Sequence, residues 1–320
     1  MIARFVPFGA PAPAEALAVD GAVAGARAIY SHWQGDHTTP AELAADTSTG
    51  MLVRAAADAE RWIAPFPIVC NNHIDADGLL SVVCACRPDL ARQYAPVLIA
   101  AATAGDFTIW TGEPGYRLVL RLHQLIREQQ KIGEGWEQRT LDEVVASVEA
   151  IVATDEQPGR DERDAAVTQV TAAISRLIQS PPEIIGRLAV VRWQRQLGHA
   201  SDTFLSVFQP DDQPLIALST VIPPTHFQLL IEETTDGIIV DLSAPRHSWA
   251  RTIDLPLVPW PDLSPLAAEL KQHEPAVAWT ARPGAEAVGF TCLLASRGAS
   301  RLDPTSVIAA CANALNSHRI

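Results

Sequence analysis

Cysteine is scarce in this chain of 320 residues: there are five, Cys70, Cys84, Cys86, Cys292 and Cys311. None stands in a C-x-x-C pair, so neither a zinc ribbon nor a disulfide framework is supported, and buried thiols in a reducing cytosol are expected. No apolar run approaches the roughly 18 residues of a membrane span. The first residues, Met1 to Pro7, lack the basic-then-apolar order of a secretory signal. The expectation from these absences is a cytoplasmic protein without a membrane partner. No Walker-type phosphate loop and no G-x-G-x-x-G occurs, and Gly133-Glu134-Gly135 has the wrong neighbours for either. Basic residues are also short, 24 against 37 acidic ones, for a net charge of −13. Such a chain has no surplus of cations with which to displace counterions from duplex nucleic acid. A small anionic substrate stays open, because a bound divalent ion dominates the local field.

What the chain has is apolar content, 48% of its residues, enough for a sizeable core and for more than one domain. Over residues 1–115 short strands at 15–20, 27–32 and 66–72 alternate with helical stretches at 40–45, 47–62, 78–86 and 88–103. That alternation predicts an α/β fold with a mostly parallel sheet and flanking helices. Residues 116–180 read as a helical connector, with Leu141, Val144, Val145, Val148, Ile151 and Val152 at helical spacing and a loop at Gln157 to Asp161. Residues 181–320 read as a second, α+β domain. Its strands are expected at Gly186–Val191, Thr203–Phe208, Leu215–Leu218, Phe227–Glu232 and Gly237–Leu242, with a hairpin at Thr235-Asp236-Gly237. Prolines 256, 259, 261 and 265 then mark loops. A helix at 263–272, strands near 277–279 and 287–294, and a helix over 305–316 close the chain.

The stretch that carries chemistry is Asn71-Asn72-His73-Ile74-Asp75-Ala76-Asp77-Gly78, between the apolar runs Trp62–Cys70 and Leu79–Cys86. Alternate residues of an extended segment point the same way, so His73, Asp75 and Asp77 can converge. Their mixed nitrogen and oxygen donors suit Mn, Zn, Fe or Mg better than a thiolate-seeking ion. Gly78 permits a backbone conformation that a Cβ would hinder. Asp and Asn are also turn formers, and Asp-Ala-Asp-Gly by itself reads equally as a loop that caps a helix.

This stretch resembles the first motif of the DHH phosphoesterase superfamily, His-x-(Asp/Asn)-x-Asp with a glycine after it; Ser81 fits the continuation. The resemblance implies a manganese-dependent hydrolase of phosphate esters or anhydrides. The implied ligands are His73, Asp75 and Asp77, and the implied cofactor is one or two divalent ions, Mn first. The whole chain also resembles a bacterial family with the same core that brings no activity with it. The superfamily's Asp-His-His triplet is missing. Upstream stand two strands ending in Asp20 and in Ser31-His32-Trp33, followed by Asp46-Thr47-Ser48-Thr49, an N-cap signal of the kind that follows the triplet. One reading is a circular permutation, with Asp20 as the lone second-motif acid and His32 the survivor of a degenerate triplet; the other is ordinary strand ends. His37 is a loop alternative to His32. Asp106, after the small-residue run Ala100–Gly105, is either the fourth-motif acid or part of a helix cap. Two ions about 3.5–4 Å apart would need a shared carboxylate, and Asp20, Asp77 and Asp106 are the types available.

In such enzymes a second domain closes over the metals, often through a Gly-rich run ending in His, which is absent here. Arg192, Arg195, His199, Arg246 and His247 are the substitutes, since arginine reads phosphate with a planar fork; Arg192, Arg246 and His247 are the substrate-binding set. The tryptophans 193, 249, 260 and 279 line a pocket or a core, and His123 reads as a packing residue. The catalytic set is His73, Asp77 and His32, acting in metal-assisted hydrolysis of a small anionic substrate. Two other classes stay open: a metalloenzyme of different chemistry, and a ligand-binding protein with a relic site. If Asp77 serves only metal, Asp77→Ala should leave the metal-free protein as stable as before, or more so.

Overall fold

Side-chain alternation places the first sheet. The computed structural model describes residues 1–35, 38–152, 160–194, 213–281 and 292–317. Its first strands are β1 (Ile2–Phe5), β2 (Ala16–Val19), β3 (Ala28–Tyr30) and β4 (Ile68–Asn71). Leu17 and Val19 of β2 enter one core with Val69, while Ala16 and Ala18 enter a smaller cluster on the other face with Cys70, Val6 and Val23. A strand covered on both faces reads as a continuous apolar run, which is why Ala-Leu-Ala-Val stands out. The order is β1-β4-β2-β3, and every pairing is parallel. The ends of β2, β3 and β4 therefore open at one edge, where ligand sites of open α/β sheets form.

Helices follow on the larger core: α1 (Ser48–Ala56), α2 (Ala59–Trp62), α3 (Ala76–Cys86), α4 (Pro88–Gln93), α5 (Ala95–Phe107), α6 (Glu113–Ile132) and α7 (Trp136–Val152); α8 (Arg160–Gln179) comes after them in the chain. The stretch expected as one helix over 88–103 is two: Tyr94 (φ −107°, ψ 14°) separates them, and Pro96 in the first turn of α5 has no N–H to continue the bonding of α4. Likewise 47–62 breaks at Asp58 (φ −136°, ψ 67°), and 40–45 is reduced to a 3-10 turn at Ala41–Leu43. Leu141, Val144, Val148 and Ile151 form the buried stripe of α7, in the same core as Leu118 and Leu122 of α6. Strand β1 was not foreseen; its four residues are half exposed and carry little periodic signal.

The chain divides into two compact units: Met1–Ala173 with Pro210–Ala217 and Ala250–Leu255, and Ile174–Gln209 with Leu218–Trp249 and Pro256–Ile320. The second sheet is mixed. It contains β5 (Glu183–Ile185), β6 (Leu188–Gln194), β7 (Phe227–Thr234), β8 (Gly237–Ser243), β9 (Ala278–Ala281) and β10 (Cys292–Arg297), in the order β5-β6-β7-β8-β10-β9. The β7–β8 hairpin turns at Thr235-Asp236, as expected, and among the described strands of this sheet only β6 and β7 run parallel. The remaining helices are α9 (Gln213–Val221), α10 (Ser264–His273) and α11 (Pro304–Ser317). Leu215–Leu218, expected as a strand, lies in α9. Short apolar runs do not distinguish strand from buried helix, and Pro214 near the start favours the helix. Thr203–Phe208, and the first part of 287–294, fall outside the described residues, as do His37, Arg195 and His199.

One contact fixes how the helices carry the site. A Cβ on Gly105 of α5 would stand 2.6 Å from the Cβ of Ala76 in α3. Gly105→Ala should therefore push α5 away from α3 and cost about 1–2 kcal/mol, within the usual range for overpacking, seen as a lower urea midpoint. An unchanged midpoint would mean that the helices do not need this close approach.

Candidate metal centre

Three strand ends and two helices bring the acids and imidazoles together. Asp20 follows β2, His32 follows β3, and His73, Asp75 and Asp77 follow β4, while Asp106 lies in the last turn of α5. Asp20 has a left-handed backbone (φ 64°), tolerated by Asp better than by most residues but still uncommon. Its side chain is completely buried, as are those of His32 and Asp77.

Among the described residues two groups of ligand type result, and they share Asp20. Within Asp20, His32, Asp77 and Asp106, and within Asp20, His73 and Asp75, one ligand atom per residue lies within 4.8 Å of the others. His32 Nε2 stands 3.4 Å from Asp20 Oδ1, 3.6 Å from Asp77 Oδ2 and 3.2 Å from Asp106 Oδ2. His73 Nε2 stands 2.7 Å from Asp20 Oδ2 and 3.1 Å from Asp75 Oδ2.

Both imidazoles are oriented the same way. His32 Nδ1 meets the carbonyl oxygen of Asp46 at 2.6 Å, and His73 Nδ1 meets Asn72 Oδ1 at 2.9 Å. An oxygen acceptor at Nδ1 holds the proton there and leaves Nε2 as the coordinating nitrogen, the usual outer-shell arrangement of metal-binding histidine. Backbone contacts hold the His32 segment: Arg251 N–H donates to the carbonyl of His32 at 2.7 Å, Trp33 bridges to Ala250, and Asp46 Oδ1 accepts from Asp254 N–H at 2.9 Å. The Trp33 ring lies 5.0 Å from that of His73.

Asp77 has a second job. Its Oδ2 accepts the backbone N–H of Ser48 and its Oδ1 that of Thr49, each at 2.7 Å. Those are free amides at the start of α1, where Thr47 caps the helix through Gly50 N–H, and a carboxylate is favoured there. Ser48 Oγ also donates to Asp20 Oδ1 at 3.3 Å. Sequence reading foresaw a Ser-Thr helix start but not its partner, which lies 28 residues away. Asp75 caps α3 through Gly78 N–H at 2.8 Å. Gly78 itself is an ordinary helical residue; it is small for want of space, since a Cβ there would come within 2.2 Å of Asn71 Nδ2. The conformational reason expected for it is replaced by a steric one.

The protonation pattern is that of a crowded acid cluster. Burial would raise Asp20, but the charges of His73 and His32 outweigh it and hold it well below the usual range. Burial, then the charge of Asp20, pushes Asp77 up to about 6, against His32. Burial and Asp77 push Asp106 well above its ordinary value. Burial opposes charge on both histidines, yet Asp106 and Asp20 raise His32, and Asp75 and Asp20 raise His73, well above 6.5.

These donors fit a divalent cation. The set is hard carboxylate plus imidazole. Asp20 Oδ2 and His73 Nε2, both shut off from solvent, make no aligned hydrogen bond despite standing 2.7 Å apart. The other expected residues sit on different elements and loops. Arg192 is exposed on β6 with Glu233 at 3.9 Å, and His247 is buried with its Nε2 on the carbonyl of Pro256 at 2.9 Å; both, like Arg246, belong to the second unit. His123 on α6 has a buried Nε2 and is pushed down to about 4 by burial and the charge of Arg127.

The chain belongs to DUF6687, a family of unknown function, whose pattern spans residues 1–302. No curated protein matches it in sequence. Among solved structures it is similar to the pGpG-specific phosphodiesterase PggH from Vibrio cholerae, at 10% identity and a TM-score of 0.40, over 94% of this chain and 83% of that one. A likeness of that degree says nothing about activity. Among the described residues, no helix is long and apolar enough to cross a membrane.

Two outcomes follow from this geometry. Asp77→Ala should destabilise the metal-free protein by about 2 kcal/mol or more, because two buried amides lose a charged acceptor. The expectation that it would be neutral is corrected by the Ser48 and Thr49 contacts, and an unchanged thermal transition would deny them. Separately, metal-free protein should lose stability as pH rises. Asp77 folds with a raised pKa, so its contribution is present below the ordinary 3.8 and lost as pH passes about 6. His32 and His73 are also raised, so theirs is present below 6.5 and lost above it. Asp20 acts oppositely, but only at acid pH below 3.8. Thermal midpoints should fall from pH 5 to pH 9 and be restored by Mn, increasingly at high pH; a rising midpoint without metal would contradict the arrangement.

Proposed function

We propose that the first unit is a metal-dependent hydrolase of phosphoesterase type, acting on a small phosphorylated or otherwise anionic molecule. The observation that carries this is Asp20, one buried carboxylate common to both ligand groups. Together with the His73-to-Gly78 run, it supports the resemblance to DHH phosphoesterases in a circularly permuted order, with Asp20 and His32 preceding the first motif. Divalent ions, Mn first, held by Asp20, His32, Asp77 and Asp106 and by Asp20, His73 and Asp75, would supply an acidified water and offset phosphoryl charge.

The protein's own residues divide the labour. Asp77 is immobilised by Ser48 and Thr49, and His32 by Asp46, so the four-residue group is rigid and closed. The three-residue group is the open one: the side chains of His73 and Asp75 are 27% and 13% exposed. Closed four-ligand sets hold an ion, whereas three protein ligands leave a position for substrate. Substrate therefore enters from the His73 side, past the Trp33 ring.

The test is hydrolysis of pyrophosphate, bis-(4-nitrophenyl) phosphate and a linear dinucleotide with and without Mn. Asp20→Asn should lower Mn-dependent turnover at least about 100-fold, the loss typical of removing a metal-site partner or more, and release bound Mn. Wild-type protein that holds no stoichiometric metal and cleaves none of these would overturn the reading.

A further inference from the structure

Asn71 closes β4 with its side chain fully buried. Its Oδ1 accepts the amides of Asn72 at 2.6 Å and His73 at 3.2 Å, which turns the chain out of the strand and into the ligand run. Its Nδ2 carries two hydrogens, is shut off from solvent and has no hydrogen-bond partner. A buried donor left unsatisfied costs about 1–3 kcal/mol, so its direction matters. The missing side chain of Gly78 marks that direction: a Cβ there would fall 2.2 Å from Asn71 Nδ2, 3.0 Å from Asp75 Oδ1 and 3.1 Å from Asp20 Oδ2. The amide and the two carboxylates thus crowd the space beside Gly78, from which a side chain is excluded. Asp20 Oδ2 is itself buried, with His73 Nε2 at 2.7 Å. Both carboxylates belong to the open group with His73.

We propose that Asn71 is a positioning residue of the open group: when ions are bound, Nδ2 offers its N–H groups to Asp20 and Asp75 and sets their orientation without adding a ligand or a charge. A carboxylate in its place would supply a further ligand and close the position left for substrate. A cation would repel the ion. An amide does neither. The inference rests on the metal reading above.

Calorimetric titration of Mn into the metal-free full-length protein tests it without reference to activity. Asn71→Ala removes the donor and should weaken the second equivalent of Mn by about 10–100-fold, the usual cost of losing an outer-shell partner, while the first equivalent stays within about threefold. Asn71→Asp keeps the acceptor that holds Asn72 and His73, so the turn is preserved, and it adds an anionic ligand. It should tighten the second equivalent at least about tenfold. Opposite signs are the signature: a role confined to the turn would weaken Asn71→Ala and leave Asn71→Asp unchanged, which also counts against the inference. Wild type binding two ions, with the variants moving together or not at all, overturns this inference and leaves the metal reading standing. Wild type binding no Mn overturns both.

Discussion

Asp20 is a carboxylate with no access to water that must serve two clusters at once, and much of the first unit is arranged around that demand. Four carboxylates and two imidazoles share the space. Even with both imidazoles protonated, two negative charges stay unbalanced, and a buried charge without a partner is among the most expensive things a fold can contain. Without metal, the only relief is proton uptake, and Asp77 and Asp106 are accordingly pushed upward. Divalent cations are the alternative relief. The left-handed backbone at Asp20 is consistent with a residue held for use, since such conformations persist only where surroundings enforce them.

The enforcement comes from neighbouring elements. Parallel pairing of β3, β2 and β4 puts three chain ends at one edge, so residues 20, 32 and 73–77 meet although they are far apart in sequence. The N-terminus of α1 then takes both oxygens of Asp77. This ties helix formation to the ligand geometry: the same carboxylate that faces His32 also satisfies amides that the helix itself cannot. Asp75 differs in that the backbone amide it accepts from belongs to its own helix, at Gly78.

How much of this was legible follows from range. His73, Asp75 and Asp77 stand within five residues, and their residue types are those that could hold a metal ion. Asp20 and His32 were readable as polar ends of apolar strands, because a fully covered strand leaves few other reasons for an acid or imidazole there. Asp106 was readable only as a choice between acid and cap; it lies inside α5, before the left-handed cap at Thr108. The clasp of Ser48 and Thr49 on Asp77 was not readable, since a backbone amide has no letter in a sequence. Asn71 is legible only as one of two asparagines ahead of His73; the turn its Oδ1 makes and the burial of its Nδ2 are not. Gly78 was noticed for the wrong reason, as conformational freedom and missing space look alike in one letter. In the second unit, Leu215–Leu218 shows the limit of apolar runs, while the Asp236-Gly237 turn was recovered because hairpin chemistry is local.

The central claim is that Asp20 joins two cation positions. The most direct measurement is a crystal structure of the Mn-loaded protein with anomalous scattering recorded at the manganese edge. The expected result is two peaks about 3.5–4 Å apart, the spacing of paired catalytic ions, with one oxygen of Asp20 on each or one oxygen on both. His32, Asp77 and Asp106 should lie on one peak and His73 and Asp75 on the other. A single peak that Asp20 does not touch, or none at this edge of the sheet, would contradict it.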